Sequence, residues 1–197
     1  MYFIGDVHGL FKAYNLLTKR LPASIQLGDM AIGFPGSTAV AEQMYFPEDL
    51  KYRFIRGNHD CPEACRKKKN YLGDFGYLET EKIFFVSGAW SIDRELRVVG
   101  VSWWEEEELS REQADAALVL YDKVRPQVMA THDAPYRAYP NLGISYGTRN
   151  RTSALLDAML DVAEPEWWIF AHHHQNRSFQ IGKTVFRALA ELAVFNL

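Results

Sequence analysis

Six histidines occur among the 197 residues, and each lies in a short polar motif that follows an apolar run. The runs 2–4, 24–27, 52–55, 128–130 and 167–170 lead in turn to Gly5-Asp6-Val7-His8-Gly9, Gly28-Asp29, Gly57-Asn58-His59-Asp60, His132-Asp133 and His172-His173-His174. A lone histidine is more often a packed core residue than a ligand, and a Gly-Asp pair usually marks only a turn. Five such motifs in series ask for another explanation. Imidazole and carboxylate together bind Mn²⁺, Fe²⁺, Zn²⁺ and Ni²⁺, without the thiolates of a structural zinc site. Two cations about 3.5–4 Å apart need a bridging carboxylate to offset their repulsion. Asp29 stands alone in its motif and suits that bridge. Asp6 and His8 are two apart in an extended turn, so both can face one ion. His172 and His174 share that spacing and could serve one ion each. Gly5, Gly28 and Gly57 let the backbone turn sharply beside them.

These side chains meet only if the apolar runs are neighbouring strands, because sites in α/β sheets form just beyond the carboxyl ends of strands. The runs are short and bounded by Gly or polar residues, as strands are. Between them lie helical patterns. Leu10, Tyr14, Leu17 and Leu21 share one helical face. Ser110 through Gln113 reads as a capping box, followed by Ala114, Ala117, Leu118 and Tyr121 at helical spacing. Leu155, Leu156, Met159 and Leu160 mark a third helix. Two more strands are expected at 82–87 and 97–101, and Gly182-Lys183 reads as a hairpin turn between 179–181 and 184–186. The pattern predicts an α/β fold with a mixed sheet, or two sheets packed together, and helices outside. A single domain over residues 1–197 is expected.

Composition is that of a soluble globular protein, with 48% hydrophobic and 24% charged residues. The net charge of −3 argues against a broad basic footprint for nucleic acid. Cys61 and Cys65 are too few for a disulfide framework and read as two unlinked thiols. No secretory leader or bilayer-spanning run stands out, so a cytoplasmic protein without a membrane partner is expected.

The ordered motifs resemble those of the calcineurin-like metallophosphoesterase superfamily: Asp-x-His, Gly-Asp, Gly-Asn-His-Asp, His, and His-x-His, spread over residues 5 to 174. The resemblance implies a sandwich of two mixed β-sheets flanked by helices. It implies two divalent metal ions, Mn²⁺ first, with Fe, Zn and Ni as alternatives. Asp6, His8, Asp29 and His174 would hold one ion, and Asp29, Asn58, His132 and His172 the other. His59 would give a proton to the leaving group, and His173 would do neither job. The activity implied is hydrolysis of a phosphomonoester or a small diester by metal-activated hydroxide, on a phosphorylated small molecule or a nucleotide. A nuclease and a non-catalytic metal-binding scaffold are the alternatives. Two departures stand out. Ala171 replaces the usual glycine of the last motif. The second motif continues Met30-Ala31-Ile32-Gly33-Phe34, without the extra Asp and the Arg that protein Ser/Thr phosphatases carry there. Asp60 or Asp133 is left to support His59.

Around these motifs, the stretch between His132 and Thr152 lacks periodicity and holds Tyr136, Arg137, Tyr139, Tyr146, Arg149 and Arg151. Arg137, Arg149 and Arg151 are candidates to clamp a phosphate. Arg66-Lys67-Lys68-Lys69 reads as a solvated helix face. Trp103 and Trp104 read as packing residues, and the four glutamates 105–108 as exposed.

Overall fold

All five apolar runs form strands, and they divide between two sheets. The computed structural model describes residues 1–144 and 149–197, so Tyr146 lies outside the described residues. In the first sheet β1 (Tyr2–Ile4), β2 (Ser24–Leu27) and β3 (Tyr52–Ile55) run parallel, and β10 (Val194–Asn196) pairs antiparallel with β1. The second sheet contains β4 (Phe75–Leu78), β5 (Ile83–Val86), β6 (Val128–Thr131), β7 (Trp167–Phe170), β8 (Arg177–Ile181) and β9 (Thr184–Ala188). Its order is β4-β5-β6-β7-β9-β8, with β5, β6, β7 and β9 parallel and an antiparallel hairpin partner at each edge.

Alternation along the strands builds the layers. Phe3, Ile25 and Ile55 of the first sheet meet Phe85, Ala130 and Ile169 of the second, forming a core between the sheets. Neighbouring residues point outward. Ile4 and Phe54 pack against Phe11 and Tyr14 of helix α1 (Phe11–Thr18). On the other side Phe84, Met129 and Trp168 pack against helices α4 (Arg111–Val124) and α5 (Arg151–Val162) through Tyr121, Leu156 and Met159. The result is the α/β sandwich of two mixed sheets, with helices on both outer faces. Among the described residues no helix is long and apolar enough to cross a membrane.

The cap of α4 forms as expected: Ser110 Oγ accepts from the Gln113 N–H at 3.2 Å, and Gln113 Oε1 accepts from the Ser110 N–H at 2.9 Å. Asn150 and Ser153 make the same reciprocal cap on α5. Two further helices, α2 (Ser37–Tyr45) and α3 (Pro62–Arg66), carry no strong apolar face, and α2 buries none of its residues. The expected strand at 97–101 is absent: this β-branched run makes only an isolated bridge between Val99 and Trp103. It joins neither sheet, and Val98, Val99 and Val101 stay exposed. The aperiodic stretch after His132 contains a 3₁₀ helix over Tyr136–Leu142.

Candidate metal centre

Because β1, β2 and β3 are parallel neighbours, their carboxyl ends deliver Asp6, His8, Asp29, Asn58 and His59 to one edge of the first sheet. β6 and β7 deliver His132, His172 and His174 from the second sheet to the same place. Four of these residues hold left-handed backbone: His8 (φ 45°), Asp29 (φ 56°), His172 (φ 62°) and His174 (φ 51°). Such conformations cost non-glycine residues on the order of 1–3 kcal/mol each and persist where the surroundings impose them. Gly57 and Gly28 allow the loops to close up. A Cβ on Gly57 would overlap Asp29 Oδ1, and one on Gly28 would lie 2.5 Å from His132 Nδ1.

Two groups of donor atoms result. In the first, His174 Nε2 lies 3.5 Å from Asp6 Oδ2, His8 Nε2 lies 3.8 Å from both Asp6 Oδ2 and Asp29 Oδ2, and the two imidazole nitrogens are 3.2 Å apart. Asp6 Oδ2 is buried without a hydrogen-bond partner among the described residues. A carboxylate oxygen so placed is costly unless a cation completes it. In the second group, His132 Nε2 lies 3.2 Å from both Asp29 Oδ1 and Asn58 Oδ1, beside His172. His132 Nδ1 donates to the Leu27 carbonyl at 2.6 Å, which turns Nε2 toward the site. Asp29 faces both groups, one oxygen to each, as a bridging ligand must.

The electrostatics fit a cation site. Burial alone would lower the pKa of His132, but attraction to Asp29 outweighs it and carries His132 up to about 9. A proton is held where positive charge is wanted. Burial also works against ionised Asp29, yet His132 beside it holds its carboxyl far below the usual range. His172, with burial dominant, is pushed down to about 3 and offers a neutral ring.

Asn58 is oriented by residues the sequence reading missed. Its Nδ2 donates to Ser91 Oγ at 3.0 Å, and buried Glu107 accepts from both the Ser91 hydroxyl and the Ser91 N–H. The 105–108 stretch is therefore not uniformly exposed. Glu107 is buried, and Glu108 accepts from the Thr152 N–H at 2.7 Å. A run of four acids shows no periodicity to mark the one that turns inward.

Other expected residues stand elsewhere. Asp60 does not touch the His59 ring. Its oxygens accept from the N–H groups of Met30, Ile32 and Gly57, and burial raises its pKa to about 6. Asp133 accepts from Tyr139 Oη, His173 Nε2 and the Ala134 N–H. Neither acid hydrogen-bonds the His59 ring in this structure; each fixes its own loop. That same bond ties His173 to Asp133. Arg137 pairs with Asp157 and Asp161, Arg149 with Asp157, and Arg151 with Glu108. All three arginines serve acids around α5 and none lines the site. Arg66, Lys67 and Lys68 are likewise paired, with Glu106, Glu63 and Glu42.

His59 sits at the rim of the centre, its ring 5.1 Å edge-on from His8 and its backbone N–H donating to Asp29 Oδ1 at 2.8 Å. A cavity of about 370 Å³ opens there, walled by Trp90, Ile92, Arg97 and Ile144 beside Asp29 and Asn58. Arg97 Nη2 donates to His59 Nε2 at 2.6 Å. Burial lowers the His59 pKa first; Asp29 opposes this, and the Arg97 guanidinium adds to it.

The calcineurin-like phosphoesterase family profile matches residues 1–176. The chain belongs to that family. Family membership and the donor groups support a dinuclear divalent metal centre and, as a general activity, metal-dependent phosphoester hydrolysis. No curated protein sequence matches the chain. Among solved structures, GAP50, the anchor in the inner membrane complex of Plasmodium, superposes with a TM-score of 0.51 at 12% identity, over 96% of this chain and 71% of that one. The phosphopantetheinyl hydrolase PptH of Mycobacterium tuberculosis superposes with a TM-score of 0.52 at 14% identity, over 96% of this chain and 89% of that one. At such identities the likeness is one of fold alone.

Proposed function

We propose that this chain hydrolyses phosphomonoesters or small phosphodiesters, with two divalent ions as cofactor and His59 as the proton donor. The observation that carries the reading is the double donor set sharing Asp29, with Asp6 Oδ2 buried and without a hydrogen-bond partner among the described residues. Asp6, His8, Asp29 and His174 would hold one ion, and Asp29, Asn58, His132 and His172 the other. Nitrogen and carboxylate donors without sulfur suit Mn²⁺, Fe, Zn or Ni, and Mn²⁺ is put first by resemblance to the family. Such ions, when bound, acidify water and offset the charge of the phosphate. The protein's part is to orient these donors, keep His59 facing the cavity, and supply a proton. Water oxygen replaces the leaving oxygen on phosphorus, and the leaving oxygen takes a proton from His59. The small cavity and the net charge of −3 favour a small phosphorylated molecule or nucleotide over a nucleic acid.

A scaffold is the second reading, favoured by the GAP50 neighbour, which is named as an anchor. Fold does not decide between the two, since another neighbour is named as a hydrolase. Metal-stripped protein should regain turnover of p-nitrophenyl phosphate or its bis ester when Mn²⁺ is added back. The ratio of the two rates separates monoesterase from diesterase. Two bound ions with no turnover of any phosphoester would favour the scaffold, and failure to bind metal would reject both readings. His59→Ala should cut kcat by roughly 10²–10⁴-fold while metal content, read by elemental analysis, stays at two ions; unaltered kcat would remove His59 from the chemistry.

A further inference from the structure

The second motif lacks a basic residue, and the three arginines that could replace it are bound to acids elsewhere. One cation does reach the site. Among the described residues lining the cavity, Arg97 is the only Lys or Arg. It comes from the segment 87–104, which runs between β5 and α4 and also supplies Trp90, Ile92 and Asp93 to the cavity wall. The Arg97 side chain is only 10% exposed, and Nη2 is shared between His59 Nε2 at 2.6 Å and Asp93 Oδ1 at 2.7 Å. Asp93 is 46% exposed on the outer side of the pair.

We infer that Arg97 is the phosphate-binding cation of this site, and that Asp93 parks it on His59 until substrate arrives. The inference rests on the phosphoesterase reading above. Guanidinium presents a planar fork of donors that suits phosphoryl oxygens, whereas half-exposed Asp93 meets only Nη2, through one oxygen at 2.7 Å. A dianionic phosphoryl group between the donor sets and Arg97 would therefore draw the guanidinium off Asp93. The same movement takes Nη2 away from His59 Nε2, the ring nitrogen that faces Arg97. One displacement thus binds the phosphate and frees His59 Nε2, which is an acceptor while Arg97 donates to it. Arg97 is a binding residue here, and Asp93 is a positioning residue that acts through it.

The test uses metal-loaded protein and inorganic phosphate, with affinity read by calorimetry and KM and kcat read with p-nitrophenyl phosphate. Arg97→Ala should weaken phosphate at least tenfold with two ions still bound, and raise KM. Arg97→Lys should recover part of that affinity, since it restores charge without the fork. Asp93→Asn should tighten phosphate binding several-fold by freeing the guanidinium, with the gain in KM rather than kcat. Phosphate affinity unchanged in Arg97→Ala overturns the binding role, and unchanged or weaker affinity in Asp93→Asn overturns the parking role. Absence of phosphate binding in the metal-loaded wild type would overturn both this inference and the reading beneath it.

Discussion

The amide of Asn58 offers an oxygen on one side and an NH₂ group on the other, and only the oxygen can face a cation. Nothing within Asn58 selects the rotamer. Ser91 does so by accepting from Nδ2, and Glu107 fixes the Ser91 hydroxyl by accepting its proton. Partners of this kind beyond the ligands commonly change metal affinity 10–100-fold. Glu107→Ala should therefore weaken the ion that Asn58, His132 and His172 would hold by about tenfold, and leave the ion that Asp6, His8 and His174 would hold nearly unchanged. Chelator competition resolves the two affinities, and equal loss at both would mean that Glu107 supports only the general fold. Glu107→Gln retains one acceptor for Ser91 and should fall between. The ligand types, their order and Asp29 as the shared carboxylate are legible in the residues themselves. Glu107, Ser91 and Arg97 are not, because their roles arise where an irregular segment folds back over the centre.

At the scale of elements, the loops after β2 and β3 are pinned together by a single carboxylate. Asp60 accepts three backbone N–H groups, from Met30, Ile32 and Gly57. Removing it leaves buried donors without partners, each costing about 1–3 kcal/mol. Asp60→Ala should lower unfolding stability by about 3 kcal/mol, read as a lower urea midpoint, and a change under about 0.5 kcal/mol, the size of an ordinary surface substitution, would show that water replaces the carboxylate. The strands that carry the site are plain in the sequence, since each is a short apolar run broken by Gly, Asp or His. Helix α2 escapes the same reading because it buries none of its residues and so shows no stripe. Residues 97–101 mislead in the opposite direction. Val98, Val99 and Val101 have strand propensity, but propensity makes a strand only in a segment that pairs along its length, and this one bridges only Val99 to Trp103.

Across the whole molecule, four layers are preserved at 12–14% identity to two solved structures over 96% of this chain. The pattern of inward and outward apolar residues, rather than particular side chains, sustains the sandwich. The layering also determines where the donors come from: Asp6, His8, Asp29 and Asn58 follow strands of one sheet, and His132, His172 and His174 follow strands of the other. Each ion would therefore be held by both sheets at once. Bound at 100 times its dissociation constant, one ion adds about 2.7 kcal/mol to folding stability, so chelation should lower the Tm and Mn²⁺ should restore it. The two halves of the sandwich are hinged by their shared apolar filling and clasped at one rim. Unclasping should let that rim breathe while the filling holds. Amide exchange in the stripped protein should quicken around Gly28, Gly57 and His172 and stay slow at Phe3, Ile25 and Ile169; uniform quickening would mean that the ions secure the whole sandwich rather than its rim.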